Sequence, residues 1–156
     1  MPLQIINSFA TWILKKRIHQ MELFLKYPHE VQDELLLSLI KSAENTQIGR
    51  KYDFSSMKNY TTFSDRIPVS TYEELEPLIE LTRKGEQNVF WHSNIKWFAK
   101  SSGTTNAKSK FIPVSSEALE NCHYKASKDL LCLYLNNNED SQLFTGKSLR
   151  LGGSKQ

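Results

Sequence analysis

The feature that most constrains this chain is a polar stretch set between two apolar ones. Residues 95–100 (Ile-Lys-Trp-Phe-Ala-Lys) and 110–114 (Lys-Phe-Ile-Pro-Val) are aromatic and β-branched enough to be strands. Between them runs Ser101-Ser102-Gly103-Thr104-Thr105-Asn106-Ala107-Lys108-Ser109, with four hydroxyls and one glycine at its head and lysines on both sides. The pattern predicts a hairpin whose connection carries the chemistry. Glycine lets backbone approach a ligand closely, hydroxyls and freed N–H groups donate hydrogen bonds, and lysine adds compact positive charge, which together suit a chain of phosphates. Asn106 follows the hydroxyls and tolerates positive φ.

The stretch lacks the Gly-x4-Gly-Lys-Ser/Thr spacing of a Walker A loop. Thr145-Gly146-Lys147-Ser148 does contain Gly-Lys-Ser, but Ser141 stands where the earlier glycine belongs, so it reads as a turn entering a final strand over residues 148–151. Gly152-Gly153 reads as a turn as well.

The landmarks around Ser101 to Thr105 carry a family resemblance. Ile67-Pro68-Val69-Ser70-Thr71-Tyr72-Glu73-Glu74, Lys84-Gly85-Glu86, Phe90-Trp91, Lys96-Trp97-Phe98-Ala99-Lys100 and the loop itself follow one another in an order that resembles the auxin-responsive acyl acid amido synthetases, the Gretchen Hagen family, within the adenylate-forming superfamily. That resemblance implies a ligase that uses ATP and Mg²⁺, while two cysteines that read as reduced packing residues point to a cytoplasmic protein. Such an enzyme adenylates a small-molecule carboxylic acid, releases pyrophosphate, and transfers the acyl group to an amino acid or another amine. It also implies that Ser101, Ser102, Gly103, Thr104 and Thr105 contact the ATP phosphates, with a lysine just after them. Lys108 and Lys110 compete for that part, and Lys110, which opens the following strand and can point back toward the loop, suits it better. Where this chain has Asn106, the wider superfamily usually has glycine. Members of the family are far longer than 156 residues, so the chain resembles an N-terminal portion of such an enzyme, lacking the C-terminal remainder.

The expected fold is α/β (α+β): N-terminal helices followed by the β-hairpin with its phosphate loop, part of the large N-terminal domain of an adenylate-forming fold. Residues 1–84 form the helical part and 85–156 the strand-loop-strand part of one domain or partial domain. The length of 156 residues allows one such domain. A hydrophobic fraction of 39% with 24% charged residues describes a globular chain, and a net charge of +3 does not call for nucleic acid. Residues 1–14 are too interrupted by polar side chains to be a signal or a membrane span. The histidines His19, His29, His92 and His123 show no ligand spacing, so no metal site is expected, and no catalytic residue is recognisable. Cys122 and Cys132, ten positions apart on one helix, would lie about 15 Å from each other, too far for a disulfide, and read as reduced packing residues.

Along the chain, residues 3–26 read as one helix with Ile6, Phe9, Ile13, Met21 and Leu25 on its apolar side. A second helix opens at Pro28, runs to about Ala43, and buries Val31, Leu35, Leu36 and Leu39. Residues 50–65 read as an irregular connection. Ser70 and Glu73 have the form of a capping box, and Pro77 predicts a kink that splits the helix they begin, with Gly85 as its stop. Glu73, Glu74, Glu76 and Glu80 read as a solvated face. Residues 88–91 read as a strand before a His92-Ser93-Asn94 turn. Ser115 or Ser116 caps a last helix, with Leu119, Cys122, Ala126, Leu130 and Leu133 at helical spacing, which ends before the asparagine run at 136–138. Two other classes remain open: a non-catalytic phosphate- or nucleotide-binding module, and a helical interaction protein in which 101–105 is only a polar turn.

Overall fold

A computed structural model of the chain describes residues 2–101, 109–145, 147 and 149. Most of these are helical, with one two-stranded antiparallel hairpin. The chain divides into two compact units, residues 27–124 and residues 1–26 with 125–156.

The first unit starts with α1, Pro28–Ala43, with proline in the first turn where its missing N–H costs nothing. Both bounds are those expected, but the buried stripe is not. Leu35 and Leu39 are exposed, while Ile40 and Ala43 are buried and Leu36 is partly buried. The helix is apolar on two faces, and tertiary packing chooses between them. Ile40 and Ala43 join Phe54 and Met57 in a core that Leu36, Ile48, Tyr52, Phe63, Ile67 and Trp91 surround.

Residues 50–65 are more ordered than an irregular connection. α2 (Gln47–Lys51) turns the corner after α1, a 3₁₀ turn follows at Phe54–Ser56, and α3 spans Tyr60–Arg66. The corner is tight. Thr46 is fully buried and caps α2: its hydroxyl accepts from the Gly49 N–H at 2.9 Å and donates to the Ala43 carbonyl at 2.7 Å. A Cβ on Gly49 would lie 2.0 Å from the Ala43 carbonyl oxygen, so only glycine fits. Asn59 caps α3 in a reciprocal box with Thr62.

Residues 88–91 are not a strand. The carbonyls of Asn88 and Val89 instead accept the first free N–H groups of α2, from Gln47 at 2.9 Å and Ile48 at 3.2 Å. Those carbonyls satisfy a helix terminus rather than a ladder. Asn88 sits at φ 60°, and its side chain donates to the Asn45 carbonyl. Asparagine tolerates that left-handed backbone.

α4 (Tyr72–Arg83) begins one residue later than expected. Thr71, not Ser70, is the N-cap, in a reciprocal capping box with Glu74 rather than Glu73. The helix runs on through Pro77 without splitting in two. Its end is as read: Gly85, at φ 99°, closes a Schellman motif in which the Gly85 N–H reaches the Thr82 carbonyl and the Glu86 N–H that of Leu81. The hairpin follows, β1 (Trp97–Lys100) and β2 (Phe111–Val114). β1 starts at Trp97 and β2 at Phe111, so both are shorter than the apolar stretches that suggested them. Ser115 is the next N-cap, accepting from the Ala118 N–H at 3.0 Å. It opens α5 (Ser116–Ala118), which passes into a π-helical stretch, Leu119–Tyr124.

In the second unit, the expected single helix over 3–26 is two, α6 (Pro2–Lys15) and α7 (Ile18–Lys26). They are parted at Arg17, whose guanidinium binds both carboxylate oxygens of Asp129, at 2.7 and 3.1 Å. No proline or glycine marks that break; its partner lies 112 residues away. Asp129 belongs to α8 (Lys125–Asn137), against which α6 and α7 pack. Cys132 and Leu135 are the buried residues of α8, not Leu130 and Leu133, which are exposed. Asp129 and the Cys132 thiol, which donates to the Leu14 carbonyl, face the partner helices and set the buried face. Both cysteines are free; Cys132 is buried, whereas Cys122 is exposed and does not pack. The final strand over 148–151 lies outside the described residues except for Leu149. No helix among the described residues is long and apolar enough to cross a membrane.

Candidate functional site

The hairpin pairs Trp97 with Val114, Phe98 with Pro113, Ala99 with Ile112 and Lys100 with Phe111. One step further, the Ser101 N–H donates to the Lys110 carbonyl at 2.9 Å and the Lys110 N–H to the Ser101 hydroxyl at 3.2 Å. Of the six residues assigned to phosphate, the structure therefore brings Ser101 and Lys110 together at the neck of the loop. Ser102, Gly103, Thr104 and Thr105 lie outside the described residues, as does Lys108.

The neck is held from one side by α4. The Tyr72 hydroxyl accepts from the Phe111 N–H at 3.0 Å. The Lys110 ammonium lies 3.0 Å from a carboxylate oxygen of Glu73 and 4.9 Å over the Tyr72 ring. The Arg83 guanidinium, about three turns further along the same face of the helix, sits 3.9 Å over the ring of Phe111. The hydrogen bond from Lys110 holds the Glu73 carboxyl below its ordinary pKa. Tyr72, Glu73 and Arg83 were missed in the sequence, where Glu73 read as part of a solvated face. Its partner lies across the fold, and no local spacing announces it.

A second polar cluster ties the chain before the hairpin to the helix after it. The Ser93 hydroxyl donates to Glu117 at 2.8 Å, and His92 Nε2 stands 3.6 Å from the other carboxylate oxygen. The Glu117 carboxyl is held below its ordinary pKa, first by its own backbone N–H and then by Ser93, Ser115 and the Trp91 indole. That indole nitrogen is buried and makes no hydrogen bond of good geometry. Beside the hairpin, Trp97, Phe98, Ala99, Val114, Leu119 and Tyr124 line an open, mainly apolar cavity of about 420 Å³. No group of three or more His, Cys, Asp or Glu side chains suited to a metal stands together among the described residues.

Residues 17–156 match the GH3 family N-terminal domain, which decides the matter. The chain belongs to the GH3 family. It is 29% identical over 106 residues to the indole-3-acetic acid-amido synthetase GH3.2 of Arabidopsis thaliana, covering 67% of this chain and 19% of that one. To the jasmonoyl–L-amino acid synthetase JAR4 of Nicotiana attenuata it is 27% identical over 143 residues, 89% of this chain and 24% of the relative. In solved structures, the GH3.15 acyl acid amido synthetase shares the fold with a TM-score of 0.70 at 23% identity, over 79% of this chain and 22% of that one. The chain thus spans about a fifth to a quarter of the length of these GH3 relatives. The family identification agrees with the resemblance read from the landmarks at 67–114.

Proposed function

We propose that this chain is the N-terminal part of an ATP-dependent acyl acid amido synthetase, and that Ser101, Ser102, Gly103, Thr104, Thr105 and Lys110 hold the phosphates of MgATP. ATP supplies the phosphorus that a substrate carboxylate attacks with release of pyrophosphate, before an amino acid or other amine takes the acyl group. The observation that carries the reading is the closed neck: Ser101 and Lys110 pair in a hairpin that frames a hydroxyl- and glycine-rich sequence inside the GH3 match.

The described flank fits a phosphate chain. The cation at the neck, Lys110, is 41% exposed and its partner Glu73 is 68% exposed. A pair so open to solvent contributes little to stability, and an ammonium with three donors can meet a phosphate oxygen while it keeps Glu73. Around such a ligand the chain's own groups would do two things: hydroxyls and N–H groups of 101–105 would orient the β- and γ-phosphates, and Lys110 would stabilise charge growing on the departing pyrophosphate. Acid and amine would be chosen elsewhere, by segments that this stretch of a GH3 protein does not contain.

The test is a thermal titration. A ligand bound only by the folded state stabilises it by RT ln(1 + [L]/Kd), about 2.7 kcal/mol at a hundredfold excess over Kd. MgATP is expected to raise the melting temperature saturably, and Ser102→Ala with Thr104→Ala to abolish the rise. No response at millimolar MgATP overturns the reading. The chain by itself is expected to show no acid-dependent ATP–pyrophosphate exchange, and detecting exchange would show that these residues suffice for adenylation.

A further inference from the structure

The neck of the loop is fastened in an uneven way. In the register of the hairpin, Ser101 and Lys110 exchange hydrogen bonds, so Lys100 and Phe111 form the next, non-bonded pair, whose N–H groups point away from the partner strand. The N–H of Phe111 therefore needs an acceptor from outside the hairpin. Tyr72 supplies it at 3.0 Å. Glu73, the next residue of the same helical turn, takes the Lys110 ammonium, and the Tyr72 ring lies beneath that ammonium. Arg83, three turns along α4, covers the Phe111 ring. Three side chains of one helix thus hold two consecutive residues, both at the exit of the loop.

We propose that the first turn of α4 is a positioning clamp for the loop: Tyr72 fixes the backbone of Phe111 and Glu73 fixes the side chain of Lys110, so that the cation waits at the place where phosphate is to be held. For its ligand the clamp rests on the phosphate reading above; for its geometry it does not. The helix is well suited to the task. Its start is fixed by the Thr71–Glu74 box and its end by the Schellman motif at Gly85, and Ile79 and Thr82 are buried between them. The exposed Glu73–Lys110 pair adds little stability, so its effect is to restrict where Lys110 goes. Tyr72 and Glu73 are positioning residues that act through Phe111 and Lys110, with no contact to phosphate of their own.

The experiment uses the whole 156-residue chain, labelled with ¹⁵N, as wild type, Tyr72→Phe and Glu73→Gln. Tyr72→Phe keeps the ring and removes only the acceptor. Losing one net hydrogen bond of about 1 kcal/mol corresponds to roughly a fivefold change in an equilibrium. Exchange of the Phe111 amide is therefore expected to quicken about fivefold or more, with amide shifts changing at Ser101, Lys110 and Phe111 and staying put in Pro28–Ala43. The Kd for MgATP is expected to rise by a similar factor in Tyr72→Phe and by about twofold in Glu73→Gln. Unchanged exchange at Phe111 overturns the clamp, whether or not the wild type binds MgATP. If the wild type shows no MgATP response while Phe111 exchange quickens, the phosphate reading fails and the clamp's geometry stands. A tighter Kd in Glu73→Gln would show that Glu73 competes with phosphate for Lys110, and would overturn its positioning role.

Discussion

The corner between α1 and α2 and the hairpin of β1 and β2 lie in the same compact unit, yet they are held in opposite ways. At the corner the fit is tight: Thr46 is 0% exposed with both hydrogen bonds of its hydroxyl made to backbone, Gly49 has a carbonyl where a side chain would be, and residues 88–89 only complete it by accepting the N–H groups of Gln47 and Ile48. At the hairpin most side chains meet water, with Trp97 60% and Ile112 53% exposed, and order comes from contacts sent across by α4. The corner is specified by exclusion, since no other residue fits. The hairpin is specified by attachment, and Trp97 and Ile112 on it face water. On the phosphate reading proposed above, stability and chemistry fall to different stretches, in keeping with loops on a rigid scaffold as the usual place for function.

The sharpest way to break this contrast is Gly49→Ala. The added methyl meets backbone rather than a yielding side-chain tip, so the corner must open, at a cost of about 3 kcal/mol or more. Urea denaturation followed by circular dichroism measures it, and a loss below about 1 kcal/mol would show that the corner relaxes easily. Next in size, Thr46→Val keeps the shape, and the Ala43 carbonyl keeps the backbone N–H of residue 46, but the Gly49 N–H is stranded in a buried place, for an expected loss of about 1–3 kcal/mol in the same assay. On the hairpin, Ile112→Ser should change stability by no more than about 0.5 kcal/mol, because that side chain already faces water. A larger loss would mean the hairpin carries part of the core.

The smallest expected effect on stability is also the most specific to the site. Glu73 has its pKa lowered by Lys110, so its contribution is present above the ordinary glutamate pKa of about 4.3 and is lost as pH falls through the lower folded value. Acidification from pH 5 to 3 should therefore release the Lys110 ammonium, seen as a shift of its side-chain nitrogen resonance, without a resolved change in stability attributable to this exposed pair. A Lys110 resonance that ignores Glu73 titration would remove the attachment on which the contrast depends. In the other unit, the lowered pKa of Asp129, set chiefly by its hydrogen bonds to Arg17, has the same sign. There the pair is only 17% and 23% exposed, so Asp129→Asn should cost on the order of 1–2 kcal/mol at neutral pH and much less near pH 3, by urea denaturation at each pH.

What could be read from residues alone was what rests on short-range chemistry. Proline at a first turn gave the start of α1 to the residue, and glycine at a positive φ gave the stop of α4. The order of landmarks from Ile67 to Val114 gave the GH3 family, and two short apolar stretches around a polar one gave the hairpin. Where two adjacent residues offered the same chemistry, as with Ser70 and Thr71 or Leu39 and Ile40, the choice fell one position off. A one-residue difference is too small for local propensity to resolve and is decided by which side chain the rest of the fold can accept.

Only the tertiary structure decided the features whose partners are far along the chain. The break at Arg17 answers Asp129, residues 88–89 give up strand pairing to satisfy α2, and the turn at Tyr72 and Glu73 holds the neck of a loop about forty residues later. The sequence by itself determined that a hydroxyl-rich loop with lysines would sit between two strands; the folded chain decided that α4 fastens it. The physical reason is common to all of these cases. A backbone group or charge must be satisfied by something, and sequence shows the need without showing which distant group will meet it.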